Sequence, residues 1–273
     1  LLKEVAILRQ LKTLSAWVGD LLHTTVAKSL KELANGHRWS VEDLREKAAD
    51  LAERQWNFSE RKLYRQVAPT RAGEEFGAIF EHEYGIQLPL DTFSRILTTI
   101  RTCLDNFGDI RDTLRIPQIL ATANRVWIEP PTFGPGATAF DFETTKVTVK
   151  VDLAVRNSDG RFAIYDWKTG KSDARSYSGQ MECYLLWPHL ALSIELRDTT
   201  AYAVNLETPQ VEAFTLDPEA KWNRLAVIRR SVENISALMV DPDTGVADIR
   251  DFSYARHVKI CERCPFQRIC REW

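Results

Sequence analysis

Leu11, Leu14, Val18, Leu21 and Leu22 recur three and four residues apart, a spacing that predicts a helix over residues 4–33. His23 falls on an apolar face of that helix, with Gly19, Val26, Ala27 and Leu30. The run Ala-Asn-Gly-His-Arg at 34–38 breaks the pattern. A charged helix is expected from Ser40 to Gln66, with Ser40 as its cap and Asp43 three residues on. Phe93, Ile96, Leu97, Ile100, Leu104 and Phe107 place another helix over 90–107, and a shorter one is expected over 111–123. Residues 34–123 therefore read as a helical lobe inserted after a first helix.

Beyond residue 123 the period changes. A short strand at Trp127–Glu129 precedes a loop rich in proline and glycine, from Pro130 to Gly136. Residues Lys146–Arg156 alternate and are rich in β-branched side chains, Asn157-Ser158-Asp159-Gly160 is a hairpin turn signal, and Arg161–Trp167 is the returning strand. A helix over Ala174–Leu192, strands near 199–206 and 210–216, and a helix from Pro218 to Met239 follow. This order predicts an α/β protein with a mixed sheet flanked by helices. Three parts are expected: the first core helix (1–33), the helical lobe (34–123), and a core with a cysteine-bearing tail (124–273).

The net charge of −2 over 273 residues lends no support to nucleic-acid binding, yet a local basic groove would suffice for it. No apolar run approaches the roughly 18 residues that suggest a membrane helix. No secretory signal is seen, and the opening Leu1 leads us to expect a missing upstream piece. Three of the five cysteines, Cys261, Cys264 and Cys270, crowd into the tail at C-x2-C-x5-C spacing. An odd, clustered count argues against a secreted disulfide framework and for a metal or cluster site in a reducing, cytoplasmic setting.

The candidate chemistry lies in Val151-Asp152-Leu153 and Asp166-Trp167-Lys168. An acid-x-Lys triplet alone is weak, since about one or two arise by chance in a chain of this length. Alone, it describes a solvated hairpin with two stray acids and a surface lysine. Context adds weight: the acids fall on strands joined by one hairpin, and alternation puts Asp166 and Lys168 on the same face. Carboxylates converging in this way suit Mg²⁺ or Mn²⁺. Such an ion polarises a phosphate and acidifies water, while a neighbouring ammonium can position that water or neutralise growing charge. In the next helix, Gln180 and Tyr184 share a face at i and i+4.

Taken in order, Gly19-Asp20-Leu21-Leu22-His23, Val151-Asp152-Leu153, Ile164 through Gly170, and Gln180-Met181-Glu182-Cys183-Tyr184 resemble the RecB-like branch of the PD-(D/E)xK nuclease superfamily. The resemblance covers roughly residues 19–30 and 125–215, and Asp166-Trp167-Lys168-Thr169-Gly170-Lys171 is its most specific piece. It implies a restriction-endonuclease-like fold in which His23, Asp152 and Asp166 bind the metal. Lys168 would be the catalytic lysine, and the Trp167 carbonyl would complete the shell. Gln180 and Tyr184 would orient that lysine or touch nucleic acid. Glu129 is left outside the site.

The tail resembles the C-terminal staple of iron–sulfur nucleases of the AddB type and of CRISPR-associated nucleases. This implies a 4Fe-4S cluster at Cys261, Cys264 and Cys270. No cysteine precedes His23 in this chain to supply the fourth ligand. A zinc site completed by His257 is the alternative, and Cys103 is a more remote candidate. Cys183 reads as packing. Lys171, Arg175, Arg229, Arg230, Arg263, Arg268 and Arg271 would track a phosphate backbone if several line one groove, and are otherwise solvated charges.

The expected activity is a Mg²⁺- or Mn²⁺-dependent deoxyribonuclease, an exonuclease acting in DNA repair, recombination or defence. DNA is its partner, a helicase or other repair or defence protein is a candidate associate, and no membrane is involved. The rival reading is a catalytically weak nucleic-acid-binding module of a larger complex, for which an intact Asp/Asp/Lys set has no use.

Overall fold

The structure is a computed structural model that describes residues 1–170, 177–241, 244–253 and 255–270. In chain order its helices and strands are α1 (Leu2–Leu8), α2 (Leu14–Ala34), α3 (Val41–Glu60), α4 (Pro69–Ala72), α5 (Phe80–Glu83), α6 (Thr92–Thr113), α7 (Ile116–Thr122), β1 (Arg125–Ile128), β2 (Ala139–Phe142), β3 (Thr145–Thr148), β4 (Leu153–Arg156), β5 (Phe162–Lys168), α8 (Ser178–Leu192), β6 (Thr199–Asn205), β7 (Gln210–Phe214), α9 (Pro218–Ser236), β8 (Met239–Asp241), β9 (Val246–Ala247), α10 (Val258–Glu262) and α11 (Gln267–Cys270). The chain divides into two compact units, one of Leu1–Ser29, Arg38–Gly108 and Ala255–Trp273, the other of Leu30–His37 and Asp109–Tyr254.

The second unit carries a five-stranded sheet in the order β1-β4-β5-β6-β7. β4 runs antiparallel to both β1 and β5, β5 and β6 are parallel, and β6 and β7 are antiparallel. A parallel pair requires a crossover, and α8 lies within that connection. Met181, Leu185 and Trp187 of α8 pack on Trp127, Phe162, Ile164 and Ala201 of the sheet. The rings of Trp127, Phe162 and Trp187 meet at centroid distances of 5.4–5.5 Å. Such aromatic packing, together with fully buried Leu185 and Ile164, fixes the helix on the strands that carry the candidate site.

The α/β class is as the sequence predicts, but the segment 146–156 is two strands rather than one. β3 pairs with β2, a strand the alternation did not mark, and β4 pairs with β1 and β5. Val149 N donates to Thr138 O and the Tyr184 hydroxyl is placed to donate to Lys150 O, which occupies the intervening residues. The first helix is likewise split. Lys12 gives its N–H to Ala78 O at 2.9 Å and its carbonyl to Phe80 N at 2.8 Å, so neither can serve a continuous helix. α2 then restarts with Leu14 N donating to the Glu81 carboxylate at 3.0 Å. Ser40 caps α3 as expected: Asp43 N donates to Ser40 Oγ at 3.1 Å and Ser40 N donates to Asp43 Oδ2 at 2.8 Å. That helix ends at Glu60, short of Gln66, because Lys62 turns into the left-handed region at φ 52°.

In the first unit, the tail is held by a buried carboxylate. The Glu83 side chain is 1% exposed and accepts from Tyr64 Oη at 2.7 Å, Arg65 Nε at 3.0 Å and Arg268 at 3.1 Å. Phe266 and Ile269 pack against a core that includes Ile7, Leu8, Phe58 and Phe80, and Tyr84 Oη donates to Pro265 O at 2.7 Å. Glu83→Ala would leave Arg65 and Arg268 without this partner, a change that typically costs about 3–5 kcal/mol. Urea unfolding should register that loss, and one below about 1 kcal/mol would contradict the assignment. Burial raises the Glu83 pKa, but the Arg65 and Tyr64 bonds outweigh it, so the net value is lowered from the ordinary 4.5. A depressed carboxylate stabilises the fold fully above its unfolded value. Its contribution should therefore be intact above pH 4.5 and vanish as the pH falls through the lower folded value.

Candidate active site

Strand register assembles the acids. Ile128 pairs with Leu153, and Leu153 pairs with Tyr165. One step further along the same antiparallel registers puts Glu129 across from Asp152 and Asp152 across from Asp166. Side chains directly opposite in a sheet project from the same face, so three carboxylates form a row across β1, β4 and β5. Asp152 and Asp166 are 5% and 3% exposed. The Glu129 and Asp152 carboxylate oxygens come within 4.8 Å of each other. Glu129 holds φ 41°, in the region that a residue with a Cβ rarely adopts, and its N–H donates to Asp152 O at 2.9 Å. Asp152 lies one residue before β4 rather than inside a strand, and Asp166 lies within β5 rather than at its end.

Each member is tied down. Asp152 Oδ2 accepts from Trp167 N at 2.7 Å, which locks the acid to the strand bearing Asp166. Lys168, two residues after Asp166 and on its face, forms an ion pair with Asp166 Oδ2. Asp166 Oδ2 is sealed from solvent, with that ammonium against it. Lys168 Nζ donates to Gln180 Oε1 at 2.6 Å and lies 5.3 Å from the Tyr177 ring centroid. Gln180 Nε2 donates to Tyr184 Oη at 2.6 Å. Tyr184 Oη is placed to donate to Asp166 Oδ1 at 2.9 Å or to Lys150 O, one proton serving either acceptor. The far end of β5 is fixed by Leu206 N on Lys168 O at 2.8 Å and by Asn205 Nδ2 on Gly170 O, also at 2.8 Å.

Burial, and then the neighbouring Asp152 charge, push the Asp166 carboxyl above the ordinary aspartate value, and Lys168 and Tyr184 offset this in part. Burial and the charges of Asp166 and Asp152 push the Tyr184 hydroxyl far above the tyrosine range, so it remains a donor near neutral pH. The donor set suits a hard divalent cation: carboxylate oxygens in a row, those of Asp152 and Asp166 buried.

The remaining sequence candidates are placed as follows. His23 is on α2, half-buried. Cys261 is in α10, Cys264 follows it with its N–H donating to Cys261 O at 3.1 Å, and Cys270 closes α11. All three are free thiols, and among the described residues their sulfurs do not gather as a group within 4.8 Å. Arg229 is paired with Glu143, and Arg268 with Glu83 and Glu4. Lys171, Arg175 and Arg271 lie outside the described residues. Glu129 is the acid that sequence reasoning set aside. Its position immediately after the strand that pairs with the Asp152 segment was the available signal.

A mixed sheet presenting buried Asp152 and Asp166, with half-buried Glu129, beside a lysine is an arrangement that suits a metal-dependent nuclease. The chain belongs to the PD-(D/E)XK nuclease superfamily, whose family model matches residues 1–271. No curated protein matches the chain. Among solved structures, one described as "Crystal structure of SSO0001" is 16% identical, with a TM-score of 0.32, over 93% of this chain and 96% of that one.

Proposed function

We propose that the protein is a Mg²⁺- or Mn²⁺-dependent deoxyribonuclease, acting as an exonuclease on DNA ends in repair, recombination or defence. The observation that carries the reading is the row of Glu129, Asp152 and Asp166, with Lys168 paired to the buried Asp166 carboxylate. Asp152 and Asp166 would hold the ion, with Glu129 as an added oxygen donor. His23 is carried as a further ligand by resemblance. When bound, such an ion supplies Lewis-acid polarisation of the phosphate and a more acidic water.

The chain's own groups set the geometry around it. Trp167 N fixes one Asp152 oxygen. Gln180 Oε1 holds the Lys168 ammonium at the edge of the carboxylate row, where it neutralises charge growing on a phosphate and orients the attacking water. Tyr184 stays protonated and orients Asp166 by donating to it.

The cysteine tail is proposed as a structural metal site, 4Fe-4S or Zn²⁺, on its spacing and free thiols; loading would draw the three sulfurs together. A cytoplasmic, reducing location and a helicase-like associate fit the same reading. The test is incubation of the purified chain with end-labelled single- and double-stranded DNA, with Mn²⁺ or with EDTA, alongside assay of its iron, sulfide and zinc. Shortening from the ends only with the ion is expected. No cleavage with any divalent ion would overturn the enzyme, and metal-free protein of normal stability, prepared anaerobically, would overturn the tail site.

A further inference from the structure

The first unit contains a cavity of about 370 Å³, within the size range of small-ligand sites. α2 lines it with Thr25 and Lys28, α3 with Lys47, Asp50 and Arg54, and Trp39 closes one wall just ahead of the α3 cap. Lys47, Asp50 and Arg54 stand three and four residues apart, so they form one stripe on α3. The named lining carries three cations against one carboxylate, although the whole chain is net −2. Lys28 also pairs with Glu74. Lys47 Nζ lies 4.8 Å from the centroid of the Trp39 ring, which puts a cation at an aromatic face.

We infer that this cavity holds one nucleotide of a single-stranded DNA, its phosphates among Lys28, Lys47 and Arg54 and its base against Trp39. The inference rests on the DNA reading above. Cations interleaved with an aromatic platform are the recurrent chemistry of single-strand binding, because every base has a π-face and every linkage a charge. A patch that recognised phosphate alone would have no use for an indole. Asp50 offers an acceptor to an exocyclic amine or a sugar hydroxyl, in reach of a nucleotide but repelling a bare phosphate. The cavity admits one nucleotide and not a duplex, so it acts as a hold for an unpaired strand.

The test is fluorescence anisotropy of a labelled ten-nucleotide single strand with the full chain, in EDTA, across a salt series. Trp39→Ala should weaken binding about tenfold or more, while Trp39→Phe should keep most of the affinity, since phenylalanine still stacks. Lys47→Ala should lower the log–log salt slope by about 0.7, the value for one contact to a single strand. The double variant Lys47→Ala/Arg54→Ala changes only exposed side chains and carries the test if Trp39→Ala fails to fold. Wild-type affinity in all variants would overturn the inference. So would equal weakening by Trp39→Phe and Trp39→Ala, or competition by free mononucleotide as effective as by the oligomer. Adding Mn²⁺ separates this from the nuclease reading. Binding that depends on Trp39 without cleavage sinks the nuclease and leaves the cavity. Cleavage with unchanged KM in Trp39→Ala sinks the cavity and leaves the nuclease.

Discussion

Asp166→Ala should reduce DNA cleavage by about 1,000-fold or more and abolish Mn²⁺ binding, with the fold retained. The acid is 3% exposed and placed across from Asp152, and its carboxyl is raised by burial and by that like charge. Two carboxylates so disposed repel until a cation lies between them, so removing one removes the reason for the other to bind. Asp166 is also a cleaner target than Asp152, which accepts from Trp167 N and whose loss would strand a buried donor. Calorimetric titration with Mn²⁺ and single-turnover cleavage of labelled DNA read the two effects separately. If Asp166→Ala and Asp152→Asn both cut at the wild-type rate, the row of acids is not the active site.

Lys168→Ala should slow cleavage by about 100- to 1,000-fold while leaving DNA affinity within a few-fold of wild type. The ammonium is held by Asp166 and Gln180 at the edge of the acids. Its largest effect is therefore on charge that develops during the reaction, and less on the strand as it binds. Lys168→Arg keeps the charge but spreads it over a planar fork, which cannot satisfy both Gln180 Oε1 and an attacking water from the same point, so it should rescue poorly. A binding module would give the opposite pattern: unchanged or absent cleavage, modestly weaker affinity, and a salt slope lower by about one unit. That pattern in Lys168→Ala, with an uncleaving wild type, would end the enzymatic reading.

The parts of the fold legible in the sequence are those set by local pattern. Ser40 and Asp43 announce the α3 cap because the two bonds close within four residues. Asn157 to Gly160 announces the β4–β5 hairpin because the turn needs the positive φ that Gly160 adopts at 89°. Alternation alone puts Asp166 and Lys168 on one face, and helical spacing puts Gln180 beside Tyr184. What the pattern hides is partner choice. Residues 146–156 have the composition of a single strand, but their two halves pair with different neighbours, and nothing local specifies where one pairing stops. Lys12 sits inside a helical pattern, yet its backbone is taken by residues 78 and 80, more than sixty positions away. Glu129 joins the acids only through the β1–β4 register, across a gap that contains a separate hairpin.

The row of acids also sets a limit on how durable the protein can be. Glu129 held at φ 41° and a buried, like-charged Asp166 are features that selection for thermal endurance alone would remove. A divalent cation bound there, as proposed, would relieve the repulsion and add its binding free energy to the folded state. Heat resistance in this chain would then depend on the cation supply as much as on the sequence. Substitutions that made this position more robust would be expected to lower turnover, the usual exchange between a strained site and a hardy scaffold.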